Sequence, residues 1–118
     1  MNNGMQRKPV ITLCGSTRFT DQMLIKQWEL SKLGHVVMGW NVLPSWYMTG
    51  DHGAEAEGVE DILDEVHRKK IDLSDEILVI NVDDYIGKST QGEITYAIHT
   101  GKPVKYAYPH VTRGWEVS

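Results

Sequence analysis

Apolar positions change period several times along the chain, and each change marks an element. Residues 9–14 (Pro-Val-Ile-Thr-Leu-Cys) form a short, β-rich apolar run ending at Gly15-Ser16-Thr17, which predicts a buried strand opening into a turn. From Phe19 to Leu33 the apolar residues Phe19, Met23, Trp28, Leu30 and Leu33 fall mostly at helical spacing. Thr17 or Thr20 is the expected N-cap of that helix, and Gly34 its stop. His35 to Trp40 then reads as a second strand. Residues 41–56 carry Pro44, Gly50, Gly53 and two aromatics among mixed polar groups. They read as a long loop, a feature that in a compact domain is usually functional or mobile.

Helical periodicity returns from Glu57 to Lys70 through Val59, Ile62, Leu63 and Val66. Acids come early and Arg68, Lys69 and Lys70 come late, as the helix dipole favours, so the basic run reads as a solvated helix end. Residues 76–82 (Glu-Ile-Leu-Val-Ile-Asn-Val) give the strongest strand signal, with the near-continuous hydrophobicity of a strand covered on both faces. A third helix is predicted over Thr90–Thr100, stopped by Gly101, and a closing strand over Pro103–Tyr106. The order βαβ(loop)αβαβ, without repeats or linkers, predicts one α/β domain over residues 1–118. Its expected form is a flavodoxin-like or Rossmann-like three-layer sandwich with a central parallel sheet of four to five strands.

Composition narrows the partners. A chain of 118 residues, 41% hydrophobic and 24% charged, is long enough to bury one ordinary globular core. The net charge of -4 argues against a nucleic-acid partner, since a duplex binder needs a basic stripe. A small anion can still be held by backbone N–H groups and one Arg. No apolar run approaches the roughly 18 residues of a membrane span, and Met1 to Lys8 is polar, so no membrane partner and a cytoplasmic location are expected. Cys14 is the only cysteine; no intrachain disulfide forms, and a reducing compartment fits. At the end of an apolar strand, Cys14 reads as a small buried side chain rather than a nucleophile.

In an open parallel sheet, ligands bind outside the carboxyl ends of the strands. Two predicted loops leave strands at that edge with polar residues. In Gly15-Ser16-Thr17-Arg18, Gly15 allows close backbone approach, Ser16 and Thr17 bring hydroxyls and Arg18 a bidentate cation, the parts of a phosphate cradle. A plain strand–helix turn with a capping Ser or Thr accounts for the same residues. The loop is not a P-loop, because no Gly-Lys-Ser/Thr follows the strand. In the second loop, Asp83 to Glu93, Ser89 or Thr90 is the expected N-cap with Glu93 as capping-box acid in the first turn. A glutamate there can also face a ligand, kept ionised by the helix N-terminus as a nucleophile or electrostatic stabiliser.

The runs Leu13-Cys14-Gly15-Ser16-Thr17-Arg18, Ile71 to Val82, Gly92-Glu93-Ile94-Thr95-Tyr96-Ala97 and Gly101-Lys102-Pro103-Val104 together resemble the nucleoside 2-deoxyribosyltransferase-like superfamily. The match covers most of the chain in order and is loosest over residues 41–56. Gly-Ser-Thr-Arg is more similar to the nucleoside 5′-monophosphate N-glycosidases, in which the equivalent loop binds phosphate. The resemblance implies that Glu93, in Glu-hydrophobic-x-x-Ala, attacks the anomeric carbon to give a glycosyl-enzyme intermediate. It places Ser89 in a phosphate-contacting region, implies no metal or other cofactor, and implies a homodimer or larger homo-oligomer that completes the site across subunits.

Two departures bear on the reaction. Where the family has an aspartate in the preceding helix, this chain has His67, with Asp72 further on. His67, with an ordinary pKa near neutrality, then serves as general acid, and packing or solvation of a helical His is the alternative. Gly87 stands where the transferases have an aspartate, which weighs against transfer between nucleosides.

The expected catalytic residues are therefore Glu93, His67 and Asp72, and the expected substrate-binding residues Gly15, Ser16, Thr17, Arg18, Ser89, Thr90 and Trp46, the last by stacking on a base. Asp75 reads as a strand-start residue. The expected reaction is hydrolysis of the N-glycosidic bond of a (deoxy)nucleoside 5′-monophosphate. Deoxyribosyl transfer, or a non-catalytic nucleotide-sensing domain in which Glu93 is only a cap, are the alternatives.

Overall fold

The computed structural model describes residues 7–47 and 57–116. Residues 1–6 of the polar N-terminus, and residues 48–56 of the expected loop, lie outside the described residues. The elements run β1 (Ile11–Gly15), α1 (Thr20–Lys32), β2 (Val37–Met38), α2 (Glu60–Leu73), β3 (Glu76–Ile80), α3 (Lys88–His99) and β4 (Val104–Tyr106). Short 3-10 turns follow β1 at Thr17–Phe19 and β3 at Val82–Asp84, and a third spans Gly114–Glu116. The four strands form one all-parallel sheet in the order β2-β1-β3-β4. The fold is the α/β sandwich expected from the alternation of elements, with four strands.

Strand alternation builds the two sides of the sheet. Ile11 and Leu13 of β1, with Ile80 of β3, pack against Met23 of α1. Their neighbours in sequence point the other way: Cys14, Ile77 and Val79 pack with Ile71 of α2 and with Ile94 and Ala97 of α3. Both central strands are thus apolar on both faces, the reason for their unbroken hydrophobic runs. Each of these fully buried aliphatic side chains contributes about 1.5–3 kcal/mol.

Boundaries depart from expectation where the signal was a cap. The N-caps of α1, α2 and α3 are Phe19, Val59 and Gly87, and none makes a side-chain capping bond. Thr20 instead donates to the carbonyl of Thr17 (2.6 Å), and Ser16 accepts from the Arg18 N–H (3.3 Å), capping the 3-10 turn. Strand β2 is only two residues long, at the sheet edge, where pairing with Ile11 and Thr12 decides its extent. The glycine stops hold: Gly34 and Gly101 take positive φ (96° and 77°), the conformation glycine adopts without steric cost.

The basic end of α2 is not uniformly solvated. Lys69 pairs with Glu65 on the surface (3.3 Å), but Lys70 donates to the Gly39 carbonyl (2.9 Å), tying α2 to the end of β2. No helix among the described residues is long and apolar enough to cross a membrane.

Candidate active site

The chain leaves β1 toward β2 and returns past β1 to β3, so strand order reverses between β1 and β3. A cavity of about 920 Å³ opens at this end of the sheet, where an open parallel sheet is expected to bind ligands. Its polar lining includes Thr17, Asp64, His67, Lys70, Ser89 and Glu93. An apolar wall of Trp40, Val42, Leu43, Pro44, Leu63 and Val66, with Tyr47, faces them.

Three elements bring the chemistry together. Cys14, next to last in β1, points by strand parity toward α2 and α3. Helix α2 runs antiparallel to the strands and presents His67, 8% exposed, to the same spot. Helix α3 supplies Glu93. Nε2 of His67 lies 3.5 Å from Sγ of Cys14 and 3.8 Å from Oε1 of Glu93. That carboxylate oxygen is buried and has no hydrogen-bond partner among the described residues.

Burial dominates the protonation of the cluster. It pushes the Glu93 carboxyl up to about 7, against a partial opposing effect of the Cys14 thiol. It pushes His67 down to about 4, helped by nearby Lys70 and partly opposed by the Leu13 backbone. The Cys14 thiol is raised well above its ordinary value, first by burial and then by Glu93. Each group is driven toward its neutral form, as desolvation without an adequate counter-charge requires.

These findings correct the sequence reading of Glu93. It is the sixth residue of α3 rather than a first-turn cap, beyond the turn where the dipole acts strongly. Burial therefore decides its charge, and the carboxyl titrates near neutrality rather than being held ionised. His67 is corrected likewise: with its pKa lowered, it is a neutral imidazole at neutral pH, not an imidazolium donor.

The remaining expected residues divide. Gly15, Thr17 and Ser89 line the cavity. A Cβ on Gly15 would sit 3.1 Å from both the Ile80 carbonyl and the Trp40 ring, so a larger residue there would press on these neighbours. Ser16 is occupied in the 3-10 cap and does not line the cavity. Arg18 also stays outside the lining: its guanidinium lies 4.1 Å over the ring of Tyr85. Thr90 is 2% exposed and packs inside the fold. Trp46 meets Tyr47 edge-on, and of the two only Tyr47 lines the cavity.

Asp72 lies elsewhere. It follows His67 by five residues on α2, about 7.5 Å further from the cavity along the axis, where it accepts from Tyr96 (2.6 Å). Asp75 is structural, accepting from the Val10 N–H (2.7 Å) and from Arg7 (2.9 Å).

Sequence reasoning missed Asp64, Arg68 and Lys88. Asp64 and Arg68, together with Lys88 and Ser89, line a smaller cavity of about 200 Å³ that also reaches Glu93. The signal for Asp64 was present in its i,i+3 spacing to His67, which places both on one helix face.

A second polar cluster holds the C-terminal segment to the sheet edge. Asn81, fully buried at the end of β3, accepts from the Tyr108 N–H (2.9 Å) and donates to the Tyr108 carbonyl (3.1 Å) and to Asp84 (3.0 Å). His110 sits between Asp84 (2.7 Å) and Glu116 (2.8 Å), stacked on Tyr106 with ring centroids 3.7 Å apart. Asp83 and Asp84 both have positive φ (53° and 55°), a conformation that costs a non-glycine residue of order 1 kcal/mol and that these contacts hold in place.

In comparisons with known proteins, no family model, no curated protein and no solved structure matches the chain.

Proposed function

We propose that the chain cleaves the N-glycosidic bond of a (deoxy)nucleoside 5′-monophosphate, with Glu93 as nucleophile. The observation that carries this reading is the buried carboxylate oxygen of Glu93, without a hydrogen-bond partner, beside a cavity at the reversal of strand order. A buried acceptor without a donor is costly to keep, and a reacting carbon is one use for it.

Ionised Glu93 would attack C1′ and form a glycosyl ester as the base departs. The departing base takes its proton from water reaching it through the open cavity. Neutral His67 then accepts the proton of the water that cleaves the ester. The wall of Trp40, Pro44 and Tyr47 offers flat surfaces for the base. Ser89 is the second residue of α3, beside N–H groups that favour an anion. Arg68 and Lys88 line the smaller cavity together with Glu93, so the phosphate fits this side better than the Arg18 loop, whose cation is engaged on Tyr85.

The test is incubation with a panel of ribo- and deoxynucleoside monophosphates and the matching nucleosides, with free base followed by chromatography. Base release from a monophosphate, lost in Glu93→Ala, is the expected result. Release only when an acceptor base is present would assign transfer instead. Binding without any release would assign a nucleotide-sensing domain.

A further inference from the structure

The cluster of Cys14, His67 and Glu93 has a property that glycosidic cleavage does not need. It combines a thiol, an imidazole and a carboxylate whose donor atoms all lie within 4.8 Å of one another. Zinc binds such donors at about 2.3 Å (S), about 2.05 Å (N) and about 2.1 Å (O) in tetrahedral geometry. Those bond lengths place N and S about 3.5 Å apart, and N and O about 3.4 Å apart, around one ion. Sγ of Cys14 and Nε2 of His67 already stand 3.5 Å apart, and Nε2 and Oε1 of Glu93 stand 3.8 Å apart. Moving Oε1 by roughly 0.4 Å brings it to the N–O spacing of one ion; the remaining pair, Sγ and the carboxylate, lies within 4.8 Å, against about 3.6 Å around one ion. The oxygen that would join it is the buried one lacking a donor.

We propose that Cys14, His67 and Glu93 bind a thiophilic divalent cation of the zinc class, and that the bound ion silences Glu93 as a nucleophile. The donor set decides the class: sulfur and imidazole select zinc-like ions over magnesium or calcium, which require oxygen cages. On binding, the Cys14 thiol and the Glu93 carboxyl release their protons to solvent. Lone pairs of Sγ, Nε2 and one carboxylate oxygen pass to the metal. His67 and Glu93 line the cavity, which gives the ion its entry path and leaves a fourth position for water. The pair of electrons needed to attack C1′ is then held in the metal bond. The binding half stands on geometry alone, and the inhibitory half rests on the glycosidase reading.

Cobalt(II) tests the binding half. Cys14 is the only cysteine in the chain, so a thiolate-to-cobalt charge-transfer band can arise from this site alone. The expected result is one cobalt per chain, with that band and the strong visible bands of tetrahedral cobalt, displaced by zinc. Cys14→Ser is expected to lose the band and to retain zinc at least about 10-fold more weakly in equilibrium dialysis. Absence of the charge-transfer band from the wild-type protein at saturating cobalt would overturn the proposal, whether or not the variant folds. Base release by the wild-type protein is expected to fall on adding micromolar zinc and to recover on chelation. Zinc that binds without slowing the wild-type enzyme would overturn the inhibitory half. If no base release is found at all, the glycosidase reading fails while the cobalt spectrum still decides metal binding.

Discussion

Nε2 of His67 and Oε1 of Glu93 stand 3.8 Å apart, too far for a hydrogen bond, in a site that drives both groups toward neutrality. A nucleophilic glutamate must be ionised, and Glu93 titrates at about 7. The rate of base release is therefore expected to rise through pH 7 and level off above it. A rate that falls above pH 7 would instead assign Glu93 as a proton donor. Glu93→Gln is expected to lower kcat by about 10³-fold or more at every pH.

The same pair sets opposite dependences of stability on pH. Glu93 has its folded pKa raised from 4.5 to about 7, so its contribution is present below pH 4.5 and lost as pH rises through 7. His67 has its folded pKa lowered from 6.5 to about 4, so its contribution is present above pH 6.5 and lost as pH falls through 4. In the window between, the two slopes oppose each other. His67→Gln leaves the Glu93 slope, and this variant is expected to weaken as pH rises. Glu93→Gln leaves the His67 slope and is expected to weaken as pH falls. Each change is on the order of 2–3 kcal/mol across the window. Denaturant unfolding at several pH values reads both, and parallel slopes in the two variants would refute the assignment.

Much of this architecture is local information. The runs at Ile11–Cys14 and Glu76–Val82 announce central strands because a strand covered on both faces has no polar side to show. Gly34 and Gly101 announce helix ends because the backbone there needs positive φ. Helix starts were misplaced because Phe19, Val59 and Gly87 offer no capping side chain. Glu93 stands out by residue type and helical placement, and His67 through the family resemblance alone. Their meeting with Cys14 was not legible, since it depends on strand parity and on two helices crossing the same side of the sheet. The stacking of Arg18 on Tyr85 was not legible for a similar reason: Tyr85 comes from the loop after β3.

Phosphate discrimination separates the two cation sets. Arg68→Ala is expected to lower kcat/KM for a monophosphate by roughly 10- to 100-fold, the worth of a charge-assisted contact, and to leave the matching nucleoside unchanged. Arg18→Ala is expected to change neither by more than a few-fold. The reverse pattern would return the phosphate to the loop after β1.

Asn81→Ala is expected to cost on the order of 2 kcal/mol, because the part-buried Tyr108 N–H and carbonyl lose their partner together. Urea unfolding measures the loss. A cost below about 1 kcal/mol would mean that water replaces the amide.

Gly15→Ala is expected to displace the Trp40 ring, since the new methyl would sit 3.1 Å from it and from the Ile80 carbonyl. The cost is about 1–3 kcal/mol. The Trp40 indole donates to Thr20 (3.1 Å), so near-ultraviolet circular dichroism is expected to change with the loss of that bond. An unchanged spectrum and stability would show that the ring yields freely.

Cys14, His67 and Glu93 stand on one strand and two helices, whereas much of the wall opposite them, Trp40 to Pro44 and Tyr47, belongs to the connection between β2 and α2, with Leu63 and Val66 of α2 supplying the rest. Under the proposed glycosidase reading, acidity and much of the selectivity fall to separable parts of the chain. Sequence drift in the connection can retune which molecule is accommodated without disturbing the protonation equilibrium beneath it. Related chains with diverged connections would then share one pH midpoint while differing in what they accept.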